Sequence, residues 1–118
     1  MEAGVPRPGQ PVRGSASGRP VMAALDLLGR RWTMRILWEL SQAPAGFREL
    51  QRRCERMSSS VLSTRIEELS AARLLVLDGD GYRLTPLGRD LVEALSPLGA
   101  WSRRWAEEMG PATPGELE

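Results

Sequence analysis

The sequence predicts a mainly α-helical domain carrying one small β-hairpin. Two observations predict it. From Pro20 to Ala72 apolar side chains recur at threes and fours, the period of helices buried along one face. Beyond Ala72 the period shortens: Leu74-Leu75-Val76-Leu77 and Gly81-Tyr82-Arg83-Leu84-Thr85 flank the turn-forming run Asp78, Gly79, Asp80 and Gly81, as two short strands do. From Pro86 the helical period returns.

Each element has its own signals. Pro20 suits a first helical turn, Met22, Leu25 and Leu28 follow at helical spacing, and Gly29 stops the run. A second helix from about Arg31 to Gln42 places Trp32, Ile36, Leu37 and Leu40 on one face; Pro44 and Gly46 break it. A short third helix, Phe47 to about Glu55, turns Phe47, Leu50 and Cys54 inward and Arg48, Arg52 and Arg53 outward. Ser58 is a natural N-cap for a fourth helix whose buried stripe is Leu62, Ile66 and Leu69. After the hairpin, Leu87, Leu91, Leu95, Leu98, Trp101, Trp105 and Met109 mark a long last helix, kinked or broken at Pro97.

The chain of 118 residues is one domain's worth. Residues 1–19, rich in proline and glycine, are expected to form a disordered arm, residues 20–109 the folded body, and residues 110–118 a disordered tail. No run is long and apolar enough to span a membrane and no secretory signal opens the chain, so a cytoplasmic protein is expected. With no histidine and a single cysteine, Cys54, the chain cannot assemble a Cys/His zinc site or a Ser-His-Asp triad. No catalysis, cofactor or metal is expected.

Charge placement says more than its sum of +1. Every basic residue is arginine; residues 30–65 are strongly basic, whereas residues 66–118 carry an excess of acids. One face is thereby suited to a polyanion. A short helix, a tight turn and a second helix make a helix-turn-helix, and the hairpin that follows is the wing of a winged helix. The early exposed positions of the fourth helix are Ser59, Ser60, Ser63, Thr64 and Arg65, with no acid until Glu67. Small polar groups let a helix approach base edges closely, so these five are the candidates for base readout in double-stranded DNA. Arg48, Arg52, Arg53 and Arg56, with Arg83 on the wing, are candidates for phosphate contacts.

The last helix carries more apolar surface than so small a body can cover, which predicts a homodimer. Met22, Leu25, Leu91, Leu95, Leu98, Trp101 and Trp105 are the candidate interface. Two-fold symmetry would make the operator an inverted repeat. Cys54 falls on an apolar face and reads as a small hydrophobe, not a redox sensor. The helical spacing of Trp32, Trp38, Trp101 and Trp105 favours core or dimer seam over an effector pocket; a small-molecule effector, if one exists, is unidentified. The function expected is a sequence-specific transcriptional regulator, a repressor by default. The alternative is a winged-helix interaction or dimerisation module that does not read DNA.

An ordered set of segments resembles the HxlR-type winged helix-turn-helix regulators, relatives of the MarR regulators. It comprises Leu25-Asp26-Leu27-Leu28-Gly29 with Trp32, Ile36-Leu37 and Leu40, Phe47-Arg48-Glu49-Leu50, Ser58, Val61-Leu62-Ser63-Thr64-Arg65-Ile66 with Leu69, and Tyr82-Arg83-Leu84-Thr85-Pro86-Leu87-Gly88. The resemblance implies homodimers on operator DNA, the fourth helix in the major groove, the wing on flanking DNA, and terminal helices joining the subunits. The chain departs from the family pattern at several places: Arg19 stands where many members have a sensing cysteine, Gly46 where an arginine is usual, Ser59 and Ser60 where bulkier polar residues are common, and Arg73 where a glycine commonly ends the fourth helix, and the wing is short.

Overall fold

The computed structural model describes residues 4–111. The order is α1 (Pro20–Leu28), α2 (Thr33–Gln42), α3 (Phe47–Arg53), α4 (Ser59–Ala71), β1 (Leu75–Asp78), β2 (Gly81–Leu84), α5 (Pro86–Leu95) and α6 (Pro97–Met109). The mainly helical winged helix-turn-helix expected from the sequence is the fold observed.

Local chemistry sets the boundaries. Pro20 opens α1, and the Gly29 amide closes it by donating to the Leu25 carbonyl at 2.9 Å. Ser58 caps α4, its hydroxyl accepting from the Val61 amide at 3.2 Å. Thr85 caps α5 by accepting from the Gly88 amide at 3.0 Å, and its hydroxyl donates to the Arg73 carbonyl at 2.8 Å. One side chain thus joins the wing's exit to the end of α4. The expected interruption of the last helix falls at Ser96, where Pro97 supplies no amide hydrogen. Ser96 keeps helical angles, φ −59° and ψ −33°, so the joint is a break in bonding and not a sharp turn.

The core lies where α2, α3 and α4 meet beneath the hairpin: Ile36, Leu37, Leu50, Leu62 and Leu69 are each below 2% exposed. The strands pair antiparallel, Leu75 opposite Leu84 and Leu77 opposite Tyr82, and Leu75 and Leu84 turn into the core. Ala45, in the loop between α2 and α3, bridges Tyr82 through two main-chain bonds of 2.8 and 3.1 Å. The base of the wing is therefore tied to the entry of the helix-turn-helix.

Two expectations about the termini meet the structure differently. Residues 4–19, expected as disordered arm, follow a defined path: Val5 is 8% exposed in the core cluster, Gly9 and Gly18 are joined by a 2.8 Å bond, and Val12 pairs with Ser15. One branched apolar side chain anchors the segment, and glycines at positive φ (Gly9, Gly14 and Gly18) close its turns without a Cβ penalty. Of the expected tail 110–118, residues 112–118 lie outside the described residues, as do residues 1–3.

Candidate nucleic-acid interface

The helix-turn-helix consists of α3, a turn over residues 54–58, and α4. Glu55 and Arg56 both adopt left-handed angles, φ 58° and 61°, costly for side chains with a Cβ. Several bonds hold that turn. The Arg56 amide donates to the Gln51 carbonyl at 2.8 Å, and the Gln51 side chain donates to the Met57 carbonyl at 2.8 Å and to the Ser59 hydroxyl at 3.1 Å. From α2, Arg35 donates to Glu39 at 2.8 Å, to Glu55 at 3.1 Å and to the Arg53 carbonyl at 2.9 Å. Hydrogen bonding to Glu39 raises the Arg35 pKa more than burial lowers it. Neither Gln51 nor Arg35 was singled out from the sequence; the four-residue spacing of Arg35 and Glu39 was the available signal.

On α4, Leu62, Ile66 and Leu69 face the core while Ser59, Ser60, Ser63 and Thr64 are exposed. The Thr64 hydroxyl donates back to the Ser60 carbonyl at 2.9 Å. Among the described residues the hydroxyls of Ser60 and Ser63 make no hydrogen bond. Arg65 departs from this face. Its Nε donates to the Arg31 carbonyl at 2.7 Å and its Nη1 to Glu68 at 2.8 Å, leaving the side chain 20% exposed. A guanidinium expected to read a base is thus turned into the protein, because Glu68, only 5% exposed, is a buried carboxylate that requires cationic partners.

The arginines expected on phosphates divide into two sets. Arg48 and Arg56 are exposed and, among the described residues, pair with no carboxylate. Arg52 lies across Glu49 and is 70% exposed, and this pairing holds the Glu49 carboxyl below the usual carboxylate range. Exposed pairs of this kind are weak, so Arg52 swings outward at little cost. Arg53 is more committed, donating to the Ala43 carbonyl at 2.8 Å and to Glu49 at 3.3 Å. Arg83 of the wing is paired with Asp78 at 2.8 Å.

The candidate interface residues also divide. Leu91 packs against the core, and Met22 and Leu95 are half-buried. Leu25, Leu98, Trp101 and Trp105 are exposed, and α6 contains no buried residue. Trp101 and Trp105 stack with centroids 5.4 Å apart. Trp32 packs against the core beneath the Arg31 guanidinium, whereas Trp38 is exposed. A cavity of about 540 Å³ lies between α1, α5 and the N-terminal segment, lined by Val5, Ala23, Leu27, Leu74 and Leu91 among others, and none of the tryptophans lines it. Cys54 is fully buried and its thiol pKa is pushed up by desolvation, with Arg35 opposing the shift. That is the environment of a structural cysteine and not of a reactive one. No described helix is long and apolar enough to cross a membrane.

A helix-turn-helix followed by a wing, with a carboxylate-free early face on its second helix, defines the DNA-binding domain of a transcriptional regulator. Residues 27–110 match the model of the HxlR-like helix-turn-helix family, and the chain belongs to that family. It is 26% identical over 94 residues to the uncharacterized HTH-type transcriptional regulator MJ0925 of Methanocaldococcus jannaschii, covering 76% of this chain and 89% of the relative. It is 28% identical over 91 residues to the uncharacterized HTH-type transcriptional regulator YvaP of Bacillus subtilis, covering 71% and 84%. Among solved structures, reduced YodB, a transcriptional regulator of Bacillus subtilis, is similar with TM-score 0.66 and 27% identity, covering 78% of this chain and 97% of that one. A protein of Enterococcus faecalis V583 assigned to the MarR family of transcriptional regulators is similar with TM-score 0.68 and 25% identity, covering 83% and 96%.

Proposed function

We propose that the protein acts as a homodimer that recognises an inverted-repeat operator and represses by occupying it. The observation that carries the reading is the exposed face of α4. Ser59, Ser60, Ser63 and Thr64 stand in a row of small hydroxyl side chains, with no carboxylate before Glu67. In the major groove, Ser60 and Ser63 bring uncommitted hydroxyls to base edges, while Arg48 and Arg56 bind the flanking phosphates. Arg52 and Arg83 join them by exchanging Glu49 and Asp78 for phosphate. Arg53 and Arg65 serve as struts, consistent with their bonds to main-chain carbonyls.

The homodimer reading rests on α6. Leu98, Trp101, Trp105 and Met109 are all exposed on a helix that its own chain does not cover, and Val21 and Leu25 expose a second apolar strip on α1. Exposed apolar strips of this kind are stabilised by pairing with their counterparts.

Fluorescence anisotropy against the chain's own upstream DNA and a scrambled duplex, at about 50 and 200 mM salt, tests the proposal. Preference for the native duplex with a steep salt slope is the expected result. Equal, feeble binding to both duplexes and to DNA selected from a random pool would overturn it.

A further inference from the structure

We infer that Glu68 is a positioning residue for the DNA-reading helix, acting through a buried Arg30–Glu68–Arg65 bridge. The inference rests on the reading above, in which α4 contacts base edges, and names what fixes that helix in place.

Glu68 lies on the buried side of α4 with Ile66 and Leu69, both buried apolar residues. Its Oε1 accepts from Nη1 of Arg65 at 2.8 Å, and its Oε2 accepts from Nη1 of Arg30, in the turn between α1 and α2. Each carboxylate oxygen therefore has its own guanidinium. Both arginines reach further. Arg65 Nε donates to the Arg31 carbonyl at 2.7 Å, while Arg30 Nη2 donates to the Gly4 carbonyl at 3.2 Å and lies 4.0 Å from Asp26 of α1. The bridge thus joins α4 to α1, to the turn before α2 and to the N-terminal segment whose Val5 enters the core.

The attachment points explain why this is positioning and not mere packing. Leu62, Ile66 and Leu69 are apolar, and apolar contact is non-directional, leaving small rolls of α4 about its axis inexpensive. Charge-assisted bonds of fixed geometry resist such rolls. Arg65 directly follows Ser63 and Thr64, so its bond to the Arg31 carbonyl clamps the same turn of helix that presents the proposed base-reading hydroxyls. Trp32, directly after Arg31, adopts the left-handed conformation at φ 76° in the same turn. Removing the bridge lets the serine row tilt without unfolding the domain.

The test compares the wild type, Glu68→Gln and Arg30→Gln on an operator obtained by selection from random DNA and on a scrambled duplex. Circular dichroism melts establish that each variant is folded. Both variants are expected to lower the ratio of specific to non-specific affinity about fivefold or more, the value of one good base contact. The two substitutions change net charge in opposite directions. A general electrostatic effect would therefore move affinity for both duplexes up in one variant and down in the other, and that pattern would overturn the inference. So would a selectivity ratio within about twofold of wild type in the folded variants. If Glu68→Gln does not fold, Arg30→Gln decides alone, since it leaves Glu68 paired with Arg65. A wild type with no preference for any duplex overturns the DNA-reading proposal itself, a result distinct from selective wild type with equally selective variants.

Discussion

Gly88 lies flush against the main chain of Leu74: a Cβ at Gly88 would stand 2.1 Å from the Leu74 carbonyl oxygen. That oxygen already accepts the Thr85 amide at 3.0 Å, so neither partner has room to retreat. Gly88→Ala is expected to destabilise the domain by about 2 kcal/mol or more, through displacement of α5 from the end of α4. Urea unfolding would show it as a lower midpoint at unchanged slope. An unchanged midpoint would mean that the corner yields.

Arg48 and Arg56 are exposed cations with no carboxylate to leave. Arg48→Ala and Arg56→Ala should each weaken binding to all duplexes alike and reduce the salt slope by about 1 per subunit, about 2 for the dimer. Arg53→Ala should instead lower stability, because it strands the Ala43 carbonyl that Arg53 now satisfies. Equilibrium binding over a salt series, with melts in parallel, separates the two behaviours. A full salt slope in Arg48→Ala would remove that residue from the phosphate set.

Leu98 and Trp105 are exposed on α6, Trp105 stacked on the ring of Trp101. The double substitution Leu98→Arg with Trp105→Arg should convert a dimer to a monomer in sedimentation velocity while leaving the unfolding of the body intact. A variant that sediments as the wild type would dissociate α6 from dimer formation.

Burial raises the Cys54 pKa, so the folded protein holds that proton more tightly than the unfolded chain does. The sign follows directly: the contribution is fully present below the ordinary thiol pKa and is lost as pH rises through the raised value. Native protein should resist iodoacetamide at pH 8 and react promptly once unfolded in urea. Rapid labelling of the native protein would contradict the burial of Cys54.

Wherever neighbours along the chain decide the structure, the sequence was readable. Pro20 and Gly29 bounded α1, Ser58 announced α4, and the Asp78–Gly81 run marked the wing, all from local chemistry. The HxlR resemblance was readable in the same way, as short segments in order. The inward bonds of Arg65, expected on a base edge, are not legible in the sequence because the burial of Glu68 is a long-range property. A carboxylate between Ile66 and Leu69 ordinarily turns to water, and here it meets Arg30, which lies 38 residues away in sequence. The path of the N-terminal segment is illegible for a related reason. Val5 gains its stability from a surface built by residues far along the chain, which no local pattern of prolines and glycines reveals.

The near-helical joint at Ser96 separates two tasks that a single rigid body would have to solve together. Residues before it shape the reading head; residues after it form α6, which contributes no buried side chain to that head. In the homodimer proposed above, substitutions confined to Pro97–Met109 would alter the distance and twist between two heads while leaving each head's sequence preference unchanged. Operator spacing and operator sequence would then drift independently among descendants of one ancestral gene, giving duplicated copies a short route to separate promoters.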